Sequence, residues 1–332
     1  MEKKAVSIII PVYNVEDYIL ECLSSISAQT FEGNIECILV DDCSSDKSLD
    51  VIRKFIDDDK SKVEYHVILQ ERNQRQGIAR NVGVKNAKGE YILFVDSDDV
   101  ISPHCLEVMF CEIDKHPNAD YVLCSMTDMD GNISFAPLGY PSFVSNKKWL
   151  MRKSLFSEGG IPPGPVNKLI RKSLILDNDI FFPGNVIFED VQFSFLLGIY
   201  AKSACFSMEN TYFYRTNREG STITTTAKNM EFGLKSRIIL MHNMIDLTIC
   251  ENKRLQFDSL LAKFLLYLKI NESTISNQYV EKLCEVKSHF VKKAPVSLGR
   301  LLAYLPLTLL RKKTINRLLY KILWLVHISI LC

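Results

Sequence analysis

The sequence predicts an α/β fold: a mostly parallel sheet flanked by helices, followed by a helical C-terminal region. Three observations lead there. Short apolar runs of β-forming residues alternate with amphipathic segments through the first hundred residues, the pattern of βαβ units. Three of those runs end in polar or acidic tips, at Pro11–Asn14, Asp41–Asp46 and Asp96–Asp99. From Met230 onward the apolar spacing is helical throughout, as in Leu234, Ile238, Ile239 and Met241. Right-handed crossovers bring the three tips to one edge of the sheet. That edge is where open α/β sheets bind ligands. The expected division of the 332 residues is 1–125 for a ligand-binding α/β part, 126–228 for a second part of the same domain, and 229–332 for the helical region.

Each element has its own signal. Val6 to Val12 is a buried-type strand. Asn14 suits the N-cap of a helix over Val15 to Gln29, with Tyr18, Ile19, Cys22, Leu23 and Ile26 on one face. Ile35 to Val40 is a second strand, and Ser45 or Asp46 suits the cap of a helix over Lys47 to Phe55. Val63 to Leu69 is a third strand, Asn73 to Gly77 a polar loop, and Ile78 to Ala87 a short helix. Tyr91 to Val95 is a fourth strand. Gly159 to Pro165, with three prolines and three glycines, cannot continue a helix. Asn167 to Arg171 is expected to begin the next helix, with Lys168 near the ligand site. Glu189 and Asp190 open an apolar segment, Val191 to Tyr200, where acidic residues suit the helix dipole.

The fourth strand carries the most chemistry. It ends in Asp96-Ser97-Asp98-Asp99. Carboxylates this close raise one another's pKa unless a positive charge compensates. A divalent cation bridged to a phosphorylated ligand is the usual compensation, because hard oxygen ligands suit Mg²⁺ and Mn²⁺.

Four blocks in order, Ser7-Ile8-Ile9-Ile10-Pro11-Val12-Tyr13-Asn14, Val40-Asp41-Asp42-Cys43-Ser44-Ser45-Asp46, Gly77-Ile78-Ala79-Arg80-Asn81-Val82-Gly83 and Asp96-Ser97-Asp98-Asp99, resemble the signature of family 2 glycosyltransferases. Phe188-Glu189-Asp190-Val191-Gln192-Phe193 is similar to that family's Glu-Asp segment. Tyr212-Phe213-Tyr214-Arg215 with Gly220-Ser221-Thr222 is similar to a further block. Cys43 departs from the Gly or Asn usual there. The resemblance implies the GT-A fold and a nucleotide-sugar donor, with Asp42 or Asp41 accepting the uracil N3–H of a UDP-sugar. It implies Pro11, Val12 and Tyr13 bordering the base, and Arg75 or Arg80 neutralising the diphosphate. Asp98 and Asp96 would bind Mn²⁺ or Mg²⁺, with Asp96 and Ser97 also near the donor and Asp99 in support. Asp190 would act as the general base of an inverting transfer, with Glu189 orienting a neighbouring loop.

Composition narrows the alternatives. A net charge of +1 argues against a nucleic-acid binder. The ten cysteines are scattered, without a CxxC pair, and Cys22, Cys37, Cys105, Cys111 and Cys205 sit in apolar stretches. Buried, reduced thiols and a cytoplasmic setting are therefore expected, as is the lack of a secretory leader before the first strand. After Glu285 there are basic residues and no acidic ones, among Leu, Tyr and Trp. That mixture suits peripheral contact of 298–332 with the inner face of a membrane. No uncharged stretch there reaches the roughly 20 residues needed to span a bilayer. The resemblance implies hexosyl or N-acetylhexosaminyl transfer to a glycan or lipid-linked saccharide. A catalytically silent scaffold of the same fold and a sugar nucleotidylyltransferase are the alternatives. The latter lacks support because Pro11-Val12-Tyr13-Asn14 is not a Gly-rich, basic loop.

Overall fold

A computed structural model describes residues 4–155 and 160–216, with a few isolated positions between 232 and 244. The chain forms two compact units. The first comprises Met1–Ser154, Pro162–Asn185 and Glu189–Lys228, and the second Leu155–Ile161, Val186–Phe188 and Asn229–Cys332. The Gly220 block, nearly all of the helical pattern after Met230 and the basic segment 298–332 lie outside the described residues.

The first unit is built on one sheet. Its strands are β1 (Ala5–Val12), β2 (Asn34–Asp41), β3 (Glu64–Leu69), β4 (Tyr91–Phe94), β5 (Val100–Ile101), β6 (Tyr121–Asp128), β7 (Ile133–Phe135), β8 (Phe143–Val144), β9 (Lys168–Arg171) and β10 (Ala204–Tyr214). The order is β3-β2-β1-β4-β9-β6-β10-β5, with β7 beside β6 and β8 beside β10. β3, β2, β1 and β4 are parallel. β9 runs antiparallel between β4 and β6, and β10 is parallel to β6. β6 straddles residue 125, so one sheet continues through the sequence region after it.

The helices follow from which apolar face each strand offers. Ile8, Ile10 and Val12 pack with Cys22, Leu23 and Ile26 of α1 (Ile19–Ser27). Residues one step along point to the opposite face, where Ile38 and Val40 of β2 meet Ala79 of α3 (Arg75–Asn86). The remaining helices are α2 (Ser48–Asp58), α4 (Cys105–Lys115), α5 (Lys147–Leu155), α6 (Lys172–Asp177) and α7 (Glu189–Tyr200).

Several local expectations are corrected. Asn14 does not cap a helix: its φ is +50, whereas an N-cap is extended. Its Oδ1 instead accepts the Ser45 N–H, and α1 begins only at Ile19. The N–H groups of Val15 and Glu16 are taken by Ser48 and Asp46, from the start of α2. Asp46 also accepts the Ser48 N–H, but it stands one residue before the N-cap of α2, which is Lys47 rather than Ser45 or Asp46. α3 starts at Arg75, inside the expected loop, because the Asp42 carboxylate accepts the N–H groups of Gln74 and Arg75. Asn167 to Arg171 does not begin a helix. Lys168–Arg171 is β9, and its apolar pair Leu169 and Ile170 fills the gap between β4 and β6; the helix α6 follows it. Of the cysteines expected to be buried, Cys111 is exposed on the outer side of α4, while Cys22, Cys37, Cys105 and Cys205 are buried; all are free thiols.

Helix α3 lies close against the sheet at Gly83. A Cβ there would lie 2.4 Å from Cγ2 of Ile9. Gly83→Ala should therefore cost about 1–3 kcal/mol, the usual penalty for overpacking. Denaturant unfolding measures it, and an unchanged midpoint would mean that α3 is not seated on β1 in this way.

Candidate active site

The tips of β1, β2 and β4 converge at one sheet edge, and two groups of carboxylates gather there. The first is Asp41-Asp42 at the end of β2. Asp42 is buried, and its burial raises its carboxyl pKa while the N–H groups of Gln74 and Arg75 pull it down. Oδ1 accepts from Gln70 Nε2 and Gln74 N at 2.7 Å each, and Oδ2 accepts from Arg75 N at 2.6 Å. Asp42 thus ties β2, β3 and the start of α3 together. Asp41 differs. Its Oδ2 accepts the Ser44 N–H at 3.1 Å. Its Oδ1 is buried and has no hydrogen-bond partner among the described residues. A buried carboxylate oxygen left unpaired is costly, so this atom is the acceptor that a ligand N–H would satisfy. Pro11 and Val12 are buried beneath the tip, and Tyr13 is 47% exposed beside it.

The second group is Asp96, Asp98 and Asp99. Asp99 is fully buried and accepts from the Tyr212 hydroxyl at 2.6 Å and from Arg215 N at 2.8 Å. Burial first, then the charges of Asp96 and Asp98, push its carboxyl up to about 8. The Tyr212 hydroxyl in turn accepts the Asp96 N–H at 3.1 Å. Arg215 Nε donates to the Asp98 carbonyl at 2.9 Å, and its guanidinium pairs with Glu21 of α1. Ser97 is buried between the two outer carboxylates. The sequence block Tyr212–Arg215 therefore has a definite task, the holding of the acidic turn. Composition and spacing gave no hint of that task, because the contacts span more than a hundred residues.

Arg80 joins the acidic turn to the Glu-Asp pair. It is 2% exposed, lies on α3, and donates to Asp96 Oδ1 at 2.6 Å and to Glu189 Oε1 at 2.8 Å. Phe182 lies under its guanidinium, 5.3 Å from carbon to ring centre. Gln76 donates to the same Glu189 oxygen at 2.8 Å. Arg80 is thus engaged by two carboxylates, whereas Arg75 is exposed at the mouth of the site. Glu189 holds α3 rather than a loop. Asp190 lies beside it at the start of α7, and its Oδ1 accepts the Val191 N–H at 3.0 Å. Burial, then the neighbouring Glu189, raises the Asp190 carboxyl to about 6, against the lowering effect of Arg80. That value suits a proton acceptor working near neutral pH.

Lys168 is buried, at 1% exposure, and donates to the carbonyl of Pro162 at 3.1 Å and to that of Gly164. No group of three or more His, Cys, Asp or Glu side chains among the described residues forms a ready-made metal cage. No helix among them is long and apolar enough to cross a membrane.

The chain is similar to known proteins. The family model described as Glycosyl transferase family 2 matches residues 7–176. The poly(ribitol-phosphate) beta-N-acetylglucosaminyltransferase TarS of Staphylococcus aureus is 31% identical over 262 residues, 78% of this chain and 43% of TarS. A poly(ribitol-phosphate) beta-glucosyltransferase of Bacillus spizizenii is 35% identical over 219 residues, 65% of this chain and 33% of that enzyme. The chain thus spans less than half the length of these relatives. The crystal structure of S. aureus TarS 1-349 in complex with UDP-GlcNAc superposes with a TM-score of 0.70 at 24% identity, covering 97% of this chain and 90% of that one. At that identity the likeness concerns the fold, a GT-A fold.

The Arg80 bridge makes a quantitative prediction. Arg80→Met leaves Glu189 buried and unpaired, which should cost about 3–5 kcal/mol. Urea unfolding of the variant measures this. A loss below about 1 kcal/mol, the range of exposed ion pairs, would contradict the bridge.

Proposed function

The chain belongs to glycosyltransferase family 2, and we propose that it moves a sugar from a UDP-sugar to an acceptor hydroxyl, with inversion at the anomeric carbon. The observation that supports this reading is the Arg80 bridge, which links Asp96 of the acidic turn to Glu189, the neighbour of the proposed base Asp190. In this reading Asp41 Oδ1 accepts the uracil N3–H, with Tyr13, Pro11 and Val12 bordering the base. Asp42 shapes the pocket from behind, as its three hydrogen bonds favour. Arg75 faces the diphosphate, and Arg80 acts through Asp96.

The donor set fits a hard divalent cation. Two carboxylates, Asp96 and Asp98, are offered at a turn where burial, and then their own charges, push Asp99 up to about 8. Mn²⁺ or Mg²⁺ with few protein ligands and the remainder from phosphates is the common arrangement for nucleotide substrates. Bound there, the cation would offset the charge that develops on the departing diphosphate. The chain's own residues do the rest. Asp190 takes the proton of the acceptor hydroxyl as the oxygen attacks, and Glu189 and Arg80 hold α7 against α3 so that the carboxylate stays in place.

The acceptor is a glycan or lipid-linked saccharide. Poly(ribitol phosphate) is the first to test, since it appears in the names of both relatives. Peripheral membrane contact through 298–332 belongs to the same proposal and rests on the sequence. The deciding experiment measures UDP release and sugar transfer across a panel of nucleotide sugars. Release of sugar 1-phosphate instead would mark a nucleotidylyltransferase, and turnover of none a silent scaffold.

Two expectations follow for the carboxylates. Asp98→Asn should remove metal-stimulated UDP release without changing the circular dichroism; full activity in excess chelator would eliminate the metal. Asp190→Asn should leave UDP affinity unchanged and lower transfer by about 10²–10⁴-fold, the scale of general-base catalysis. The sign of the pH dependence is fixed, because the base must be ionised to act. Activity should fall as the pH drops through about 6, where the Asp190 carboxyl takes up a proton. A rate flat down to pH 4.5, measured with a folded enzyme, would sink the assignment.

A further inference from the structure

Lys168 is the buried cation that the reaction described above does not use. Full burial of a lysine is rare unless something compensates it. Its ammonium donates to two backbone carbonyls, of Pro162 and Gly164, in the loop that precedes β9. Asn167 next to it has φ +55 and is fixed by reciprocal bonds with the Cys124 backbone, Nδ2 to O at 2.8 Å and Cys124 N to its own carbonyl at 3.3 Å. The lysine is therefore aimed by a rigid backbone.

Sheet register shows where it is aimed. Leu93 of β4 is paired with Leu169 of β9. One further step along each strand, to Phe94 and to Lys168, turns both side chains to the opposite face, while Phe94 itself bridges to Val166. The ring of Phe94 meets Phe193 of α7, edge-on at 5.7 Å. Lys168 thus lies on the face that α7 covers, at the end of the sheet where α7 begins with Glu189 and Asp190. Burial pushes the ammonium down to about 7, and the charge that pulls it back up is that of Asp190.

We propose that Lys168 is a positioning residue for Asp190, joining the Pro162–Gly164 loop to the base and supplying the positive charge that keeps the base ionised before the acceptor arrives. The inference rests on Asp190 being the base. The groups around that carboxylate are Glu189 on α7, Asp96 after β4 and Arg80 on α3, with Lys168 on β9. Two of these are anions that favour its protonation. Arg80 is shared between Asp96 and Glu189, whereas the Lys168 ammonium is held by backbone carbonyls.

The test uses the full chain and the UDP-sugar that it turns over fastest. Lys168→Met keeps the length and apolar stem while removing the charge. It should lower kcat for UDP release about tenfold or more and leave UDP affinity within about twofold, a split that marks loss of an interaction made beyond donor binding. The acid limb of the kcat profile should move up by about one pH unit, the shift produced by losing a nearby opposite charge. Lys168→Arg should restore the limb. On the background of Asp190→Asn, Lys168→Met should add no further loss, because the two act as one unit. An unmoved acid limb in Lys168→Met, or joint loss of UDP binding and activity in both Lys168 variants, would overturn the proposal and leave a structural lysine. Normal turnover by Asp190→Asn alone would instead overturn the base assignment, whatever the Lys168 variants do.

Discussion

The site depends on one buried ion bridge. Arg80 is nearly devoid of solvent contact, and both of its carboxylate partners come from elsewhere in the chain, Asp96 after β4 and Glu189 at the start of α7. Removing any member leaves an uncompensated charge in a low-dielectric interior. The consequence is geometric. α3, the acidic turn and α7 are held as one body by a planar, forked cation that a lysine could not replace. The ring of Phe182 below the guanidinium and its stack on Phe193, at 4.2 Å between centroids, close the space around it. Gln76 and Arg80 lie one helical turn apart on α3 and address the same Glu189 oxygen, so the bridge is also a helix-to-helix clamp.

A second set of contacts holds the same turn from the far end of the unit. Tyr212 and Arg215, at the close of β10, reach Asp96, Asp98 and Asp99 through a hydroxyl, a backbone N–H and a guanidinium. Asp99 is thereby a structural acid. Its raised carboxyl lets it stay buried, and two donors satisfy its oxygens. That leaves Asp96 and Asp98, partly exposed, to face a ligand. The triplet divides into one residue that builds the turn and two that present charge, a division invisible in the bare run of aspartates.

How far the sequence disclosed this follows from the range of each interaction. Strands were legible because burial on both faces gives continuous apolar runs, and the acidic tips were legible because they interrupt those runs. The start of α3 was not, because its cap is Asp42, some thirty residues away. β9 was not, because Lys168–Arg171 has only two apolar residues, and its strand state comes from the gap it fills between β4 and β6. Asn14 has the right chemistry for a cap and the wrong backbone, with φ +50. Cys43 is instructive in the other direction. Its φ of +66 explains why Gly or Asn is the ordinary choice there, and a cysteine in that conformation carries backbone strain of about 1–2 kcal/mol. In the candidate site, Asp41 and Asp42 were indistinguishable by sequence. The structure separates them by counting donors: Asp42 has three, and Asp41 retains an oxygen with none among the described residues.

The charge balance at the sheet edge bears on how such a site works. The anions around Arg80 are Asp96, Glu189 and Asp190, with Asp98 close by in the acidic turn and Lys168 as the further cation near Asp190. A diphosphate brought alone into this surplus would add like charge to like charge, at short range and low dielectric. Entry together with a divalent cation reverses the sign of that interaction. A cation and phosphates seated there would neutralise the acidic turn, and Asp190, whose pKa is raised in part by Asp96, would then lose one of the anions opposing its ionisation. Donor binding in this reading therefore does more than deliver the sugar: by quieting Asp96 it readies the base on the other side of Arg80.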